Sequence, residues 1–311
     1  MKTTSRPCFS VVIPLYNKSP HVARSVGSVL NQTFGDFELI VVNDASTDGS
    51  ANELQLFNDP RIRVLQREKP GPGGYAARNL GIENARSEWV AFLDADDKWH
   101  PHHLACYHDL IRQFPDAKVL GCGWEVYDPE RFDQRFVKAR YFTKQAARGN
   151  HECSFDQYLW FMNHKLSPVW SSIACIRKTI LQESGGFPAG RTNRAGDLDT
   201  WLRCIARAGG YAWSAHSGGV YYRDAINMVT RTQVSNVDVM CQTVRDLLKD
   251  HQGSDTAFLL KEYANIHVFY AWKESKWFKT PDRQFAQRLY RDVTPWRNLF
   301  WTLIFRLPDA V

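Results

Sequence analysis

The sequence has no C-x-x-C pair, and its seven cysteines (Cys8, Cys106, Cys122, Cys153, Cys175, Cys204 and Cys241) are scattered and odd in number. That excludes a disulfide framework or zinc ribbon and points to a reducing compartment. No stretch reaches the ~18 apolar residues that a membrane span needs. Lys2 and Arg6 precede only a short apolar run, broken by Pro14 and Asn17, so no signal peptide is read and a cytoplasmic setting is expected. G-x-G-x-x-G and P-loop motifs are missing, which removes a dinucleotide site and a Walker NTPase. Internal repeats and low-complexity segments are absent too. Charge of one sign is scarce: Lys plus Arg is 39 against 33 Asp plus Glu, a net +6. Such a weak, diffuse excess does not argue for nucleic acid; it suits an anionic small molecule or an anionic membrane surface.

What is present is an ordinary globular composition, 44% apolar and 23% charged over 311 residues. A chain of this length can bury a sufficient core unaided. The first half alternates short β-branched runs with helical spacing. Strands are predicted at Phe9 to Leu15, Phe37 to Val42, Ile62 to Leu65 and Trp89 to Leu93, and helices at Ser19 to Leu30, Asp48 to Phe57 and Gly74 to Ala85. That alternation signals βαβ units and a mostly parallel α/β sheet. Further on, Val119 to Tyr127 and Trp170 to Ile176 read as strands, and Phe132 to Ser154 as a polar loop or lid. Thr179 to Ser184, Leu198 to Ala208, Val234 to Lys249 and Thr256 to Trp272 read as helices.

Ligands of an open parallel sheet bind beyond the carboxyl ends of its strands. Each predicted strand ends in a polar cluster: Tyr16-Asn17, then Asn43-Asp44 with Ser46 to Asp48, then Arg67, Lys69 and the turn Gly71 to Gly74, then Asp94-Ala95-Asp96-Asp97. Three carboxylates within four residues repel one another unless a cation or solvent relieves them. Hard oxygen ligands suit Mg²⁺ or Mn²⁺ completed by substrate phosphates. A solvated turn with Asp97 capping the next helix is the plainer reading; the position at a shared rim favours metal and nucleotide. Asp44 can accept an N–H from uracil, thymine or guanine, or serve an Asx-turn or cap. Arg78, on the helix after the glycine turn, adds a rigid donor fork for phosphate.

Together these segments resemble a family 2 glycosyltransferase of the GT-A fold. The resemblance rests on VVIPLYN (Val11 to Asn17), SVLNQTF (Ser28 to Phe34), FELIVVNDASTDGS (Phe37 to Ser50), AARNLGIENARSEWVAFLDADD (Ala76 to Asp97), SGGF (Ser184 to Phe187) and DLDTWLR (Asp197 to Arg203). It implies a nucleotide-sugar donor, usually a uridine diphosphate sugar, and inverting transfer to a hydroxyl of a glycan or lipid-linked glycan. By position, Pro14, Tyr16, Asn17 and Asp44 would line the nucleoside and Arg78 the diphosphate. Asp94 would contact ribose or metal-bound water, Ala95 would lie beside it, and Asp96 would bind Mn²⁺ or Mg²⁺ directly. Asp94 and then Asp97 are further metal candidates. Asp197 matches the catalytic base. Two departures stand out. Gly196 holds a position usually acidic, and no His follows Tyr222-Arg223, which leaves His216 as the remaining His candidate for metal. Asp199 and Arg203, at i and i+4, read as a surface helix pair worth ~0.3–0.5 kcal/mol. Aromatics of the acceptor region, Trp160, Phe161 and Trp170, suit either sugar stacking or core.

The expected layout is a catalytic domain over 1–228, with a nucleotide half to about 100 and an acceptor half beyond. A helical region over 229–311 follows, amphipathic at 294–307. Arg297 and Arg306 beside the apolar face of 294–307 suit peripheral contact with a membrane's inner face, a helix packed on the catalytic domain, or a homodimer contact. Two other function classes remain: an inactive nucleotide-sugar scaffold or sensor, and a sugar nucleotidyltransferase. The latter lacks its glycine-rich phosphate loop after the first strand.

Overall fold

A computed structural model describes residues 6–132, 135–280, 282 and 284–293. The first half is β1 (Phe9–Leu15), α1 (Ser19–Leu30), β2 (Phe37–Asn43), α2 (Ser50–Gln55), β3 (Ile62–Gln66), α3 (Tyr75–Asn84) and β4 (Trp89–Phe92). The middle is β5 (Lys98–Trp99), α4 (His103–Gln113), β6 (Val119–Tyr127), α5 (Pro129–Phe132), β7 (Phe136–Lys138), α6 (Arg140–Gln145), β8 (His151–Ser154) and α7 (Phe155–Asn163). Then come β9 (Cys175–Arg177), α8 (Lys178–Glu183), α9 (Gly196–Ala208), β10 (Gly210–Tyr222), α10 (Val229–Thr232), α11 (Asp238–Asp250) and α12 (Asp255–Trp277).

The strands form one mixed sheet in the order β3-β2-β1-β4-β9-β6-β10-β5, with β7 on β6 and β8 on β10. β3, β2, β1 and β4 run parallel, β9 is antiparallel to both neighbours, and β6 and β10 are parallel. β2 and β4 are buried along their whole length and β1 nearly so, as helices on both faces require. Leu15, Asn43 and Gln66 share one level in the register, so the ends of β1, β2 and β3 form one rim. β4 stops lower, at Phe92 opposite Val12, and the chain beyond it climbs to the same rim. Pro20 starts α1 at a position where a missing N–H costs nothing. Gly81 lets α3 lie on β1: a Cβ there would fall 2.4 Å from Val12 Cγ1.

Several expectations are corrected. The stretch from 132 to 154 is not a loop; it carries β7, α6 and β8, because Tyr141 and Phe142 are buried against the ring of Trp213 while the basic residues face solvent. Of the strand expected from Trp170 to Ile176, only the end is extended. Ile173 N and Ala174 N both donate to Trp170 O, closing a turn that carries Ser171 and Ser172. Asp199 is not on the surface. It is fully buried, accepting from Arg203 Nη2 at 2.7 Å and from Thr243 Oγ1 at 2.5 Å, while Arg203 Nη2 also reaches Gly186 O at 2.8 Å. α4, α7 and β10 have no counterpart in the sequence reading.

One apolar cluster joins the sheet to the C-terminal helices: Tyr158, Trp201 and Leu202 pack with Val244, Leu260 and Tyr263. The residues 294–307, read as amphipathic, lie outside the described residues. Among the described residues no helix is long and apolar enough to cross a membrane.

Candidate active site

A cavity of about 680 Å³ opens at the rim, and Pro14, Tyr16, Asp44, Arg78, Asp94, Ala95, Asp96 and Asp197 all line it. Residues from four separate strand ends and from the start of α9 thus meet in one hollow. Asn17, Asp97 and His216 do not line it.

The β2 end divides its labour. Asn43 Oδ1 accepts from Ser46 N at 3.1 Å, and Asp48 Oδ2 accepts from Ser19 N at 2.9 Å, capping α1. The Asx-turn and the cap therefore fall to Asn43 and Asp48. Asp44 is left facing inward at 1% exposure, paired with Arg67 Nη1 and accepting from Gly71 N at 3.0 Å. Asn17 is a turn residue: at φ 49° its Oδ1 accepts from Thr47 N at 2.7 Å. Gly73 and Gly74 adopt left-handed φ of 70° and 67°, which glycine alone takes without strain. At Gly73 a Cβ would also strike the Tyr75 ring at 2.5 Å.

Arg78 is buried. It donates to Gly73 O at 2.8 Å and to Asp94 Oδ1 at 2.5 Å, and its Nε has no partner among the described residues. Asp94 is 27% exposed, toward the pocket, yet burial raises its carboxyl above the usual range; Arg78 opposes that rise and Asp96 adds to it. Asp96 Oδ2 accepts from Lys18 Nζ at 2.6 Å, and Lys18 also reaches Ile226 O at 2.5 Å. Asp97 turns away. Its two oxygens accept from Ser172 Oγ at 2.5 Å and Tyr222 N at 3.0 Å, and burial, then the charges of Asp96 and Asp94, push its carboxyl well above the ordinary range. It neither caps a helix nor faces the pocket; it ties the turn after β4 to β10.

Asp197 occupies the first turn of α9, where the helix dipole favours an anion, and accepts from Ser171 Oγ at 3.3 Å. Gly196 before it is sterically imposed: a Cβ would lie 2.6 Å from Pro188 Cγ, 2.8 Å from Tyr75 Cζ and 2.9 Å from Thr192 Cγ2. Its N–H donates to Tyr75 Oη at 2.8 Å. Tyr75 thus fills the space that an acidic side chain would need. The far wall is Met228 to Thr230 with Gln233 and Ser235. Arg194 holds it, donating to Gln233 O at 2.5 Å and to Glu274 on α12 at 2.9 Å.

Sequence reasoning missed Lys18, Tyr75, Ser171 and Arg194. Lys18 and Tyr75 directly follow segments already singled out, so adjacency was the available signal. Ser171 was hidden inside an expected strand, and Arg194 had none. Of the aromatics, Phe161 is core, Trp170 packs on Trp124 and Tyr221, and Trp160 is 46% exposed and stacked on His164.

Among the charged side chains lining the cavity, four carboxylates (Asp44, Asp94, Asp96, Asp197) face three cations (Lys18, Arg78, Arg194). Asp94 Oδ2 and Asp96 Oδ1 carry no hydrogen bond among the described residues. Asp44 is also neutralised by Arg67 from behind, so the pocket has no free excess of positive charge for a diphosphate, and the open oxygens of Asp94 and Asp96 are hard donors that fit Mn²⁺ or Mg²⁺.

Residues 10–171, just over half of the chain, match the model of Glycosyl transferase family 2. The chain belongs to that family. It is 42% identical over 104 residues to the putative teichuronic acid biosynthesis glycosyltransferase TuaG of Bacillus subtilis, covering 33% of this chain and 41% of that protein. It is 41% identical over 121 residues to the succinoglycan biosynthesis protein ExoW of Rhizobium meliloti, covering 37% and 36%. The matches thus span less than half the length of these relatives. Among solved structures, S. aureus TarS 1-349 in complex with UDP-GlcNAc superposes with a TM-score of 0.71 at 20% identity, covering 92% of this chain and 82% of that one. A mannosyltransferase from Pyrobaculum calidifontis in complex with GDP-Man and Mn²⁺ gives 0.57 at 17%, covering 97% and 86%. The fold is GT-A.

Proposed function

We propose that this family 2 glycosyltransferase moves a sugar, with inversion, from a nucleotide-diphosphate donor, a UDP-sugar first, to a hydroxyl of a glycan or lipid-linked glycan in polysaccharide assembly. The observation that carries this reading is the convergence of Asp44, Asp94, Asp96 and Asp197 on one cavity of about 680 Å³. Asp44 accepts a base N–H, while Arg67 and the Gly71 amide hold its carboxylate in place. Arg78, fixed by Gly73 and Asp94, presents positive charge to the diphosphate. Asp96, with Asp94 beside it, would hold Mn²⁺ or Mg²⁺, which supplies charge neutralisation for the departing diphosphate. Lys18, now on Asp96, offers a second positive group on the same side.

Asp197 removes the acceptor proton as the hydroxyl attacks C1 from the face opposite the diphosphate. Ser171 fixes one of its oxygens and leaves the other for that proton. A positioned base of this kind is worth about 10²–10⁴ in rate. Gly196 and Tyr75 set where α9 begins and so aim the carboxylate.

The test has two parts. A panel of nucleotide sugars, with and without Mn²⁺, is screened by thermal shift; a true donor at a hundredfold over Kd adds about 2.7 kcal/mol of stability. Donor hydrolysis and transfer are then compared for the wild type and Asp197→Asn. Activity lost in the variant with donor binding kept supports the reading. A wild type that binds the donor but never turns it over would make the chain a binding scaffold.

A further inference from the structure

Away from the pocket, three side chains with nitrogen and sulfur donors meet: His103 in the first turn of α4, Cys122 on β6 and His216 on β10. His103 Nδ1 lies 3.2 Å from His216 Nε2 and 3.8 Å from Cys122 Sγ, and the three donor atoms fall within 4.8 Å of one another. His103 and Cys122 are fully buried, and His216 is half-buried. The two separations from His103 are close to those of ligands around one cation, and the third is within 4.8 Å. With metal–N near ~2.0–2.1 Å and metal–S near ~2.3 Å, tetrahedral neighbours lie roughly 3.3–3.6 Å apart.

The backbone is shaped around the cluster. Between Ser214 and Ser217 the pairing of β10 with β6 advances one residue on β6, from Cys122 to Gly123, and three on β10. The bulged residues are Ala215 and His216, and bulges of this kind re-aim side chains. His216 Nδ1 is taken by Ser214 Oγ at 2.9 Å, which leaves Nε2 for the cluster. Gly218 makes the room: a Cβ there would fall 2.4 Å from Cys122 Sγ and 2.6 Å from His103 Nδ1. The Gly218 N–H reaches the Cys122 sulfur, so a thiolate here has a backbone donor, while the Tyr107 hydroxyl, 3.4 Å from Sγ, gives its one proton to Ile173 O. The other titratable groups around the cluster are His100, held near Glu125 at 3.5 Å, and the thiols of Cys106 and Cys175. Burial holds both cluster imidazoles below the ordinary histidine range, so they keep the neutral lone pairs a cation needs. Burial also raises the Cys122 thiol, so its proton leaves only as a cation arrives.

We propose that His103, Cys122 and His216 bind one thiophilic d¹⁰ cation, Zn²⁺ or Cu⁺, at a site separate from the donor pocket, and so fasten α4 to the β6–β10 pair. Neutral imidazole and thiolate are the donor set these two ions share. On uptake the Cys122 S–H bond breaks, a metal–sulfur bond forms, and the proton leaves to solvent with no change of oxidation state. Half-buried His216 is the entry side. Trp99 packs on His103 with ring centroids 4.4 Å apart and donates Nε1 to Ser172 O, and Ser172 Oγ in turn accepts from Asp94 N. Two residues, Trp99 and Ser172, therefore connect the fastening to the turn that carries Asp94 and Asp96.

The experiment titrates the metal-stripped full chain with Co²⁺, reading the thiolate-to-cobalt charge-transfer absorption, then displaces it with Zn²⁺. A separate anaerobic arm measures Cu⁺ by competition with a chromophoric chelator. The expected result is one cation and one released proton per chain. The band is lost in Cys122→Ser, and the Co²⁺ affinity read from it falls in His216→Gln by about tenfold or more, the loss that even a ligand's hydrogen-bond partner causes. The band persists in Asp96→Asn, which separates this site from the donor site. His216→Gln keeps the test valid if Cys122→Ser does not fold, as circular dichroism will show. No charge-transfer band together with no Cu⁺ retention, or a signal that survives both substitutions, would overturn the proposal.

Discussion

Lys18 and Asp97 show how charges gathered around one turn come to do different work. Lys18 Nζ sits 2.6 Å from Asp96 Oδ2 and so competes with any cation for that carboxylate. Lys18→Ala should therefore lower the Mn²⁺ concentration for half-maximal activity by about two- to fivefold, for a pair worth ~0.5–1 kcal/mol. An unchanged or higher metal requirement would contradict the competition. Asp97, the next residue along from Asp96, is instead held between Ser172 and Tyr222, its carboxyl raised by burial and then by the charges of Asp96 and Asp94. A raised acid holds its proton more tightly in the folded chain than in the unfolded one. Its contribution to stability is therefore complete below the unfolded value of about 3.9 and is lost as pH rises through the raised folded value. Asparagine is fixed in the neutral form. The Tm of Asp97→Asn relative to wild type should climb from acid to neutral pH. A difference that stays flat across that range would show that Asp97 carries no such shift.

At the scale of elements, the start of α9 is the decisive piece. Ala195 enters it at φ 66°, and Gly196 has Pro188, Tyr75 and Thr192 packed against the place of a Cβ. Gly196→Ala must push Tyr75 or the 188–192 loop aside and tilt the turn that carries Asp197. The expected outcome is a loss of about 1–3 kcal/mol in stability, the usual cost of overpacking, with kcat reduced more than donor affinity. Thermal unfolding and steady-state kinetics check both; an active variant of unchanged Tm would remove this account of the glycine. The glycine was legible as a departure from the family pattern, whereas its cause was not, because Tyr75 lies 121 positions away in the chain. β10 was missed for a related reason. Its Gly218-Gly219 pair and polar residues give no strand pattern, and only pairing with β6, β8 and β5 makes it a strand.

At the scale of the whole molecule, α11 and α12 are part of the core beneath the site. Val244, Leu260, Tyr263 and Val268 are at most 1% exposed and pack in the same cluster as Trp201. Each such side chain is worth about 1.5–3 kcal/mol, and together they rival the ~5–15 kcal/mol net stability of a typical domain. A chain ending at residue 232 should lose cooperative unfolding and bind a hydrophobic dye; a sharp transition in that shortened chain would mark the C-terminal helices as dispensable. Glu274 on α12 also holds Arg194 and Ser235, so the same helix steadies the pocket wall.

The sequence by itself determined the elements whose signals are local. The runs at β1, β2 and β4, the Pro20 start of α1 and the polar residues at the strand ends carry their information in a few adjacent side chains. Only the tertiary structure decided which carboxylates face one another. Asp44 and Asp97 each look like turn or cap residues in the chain, yet Arg67 and Gly71 hold one in the pocket while Ser172 and Tyr222 draw the other out of it. The orientation of a buried charge is fixed by the partners that offset its desolvation, and those partners come from distant segments that meet only when the sheet closes.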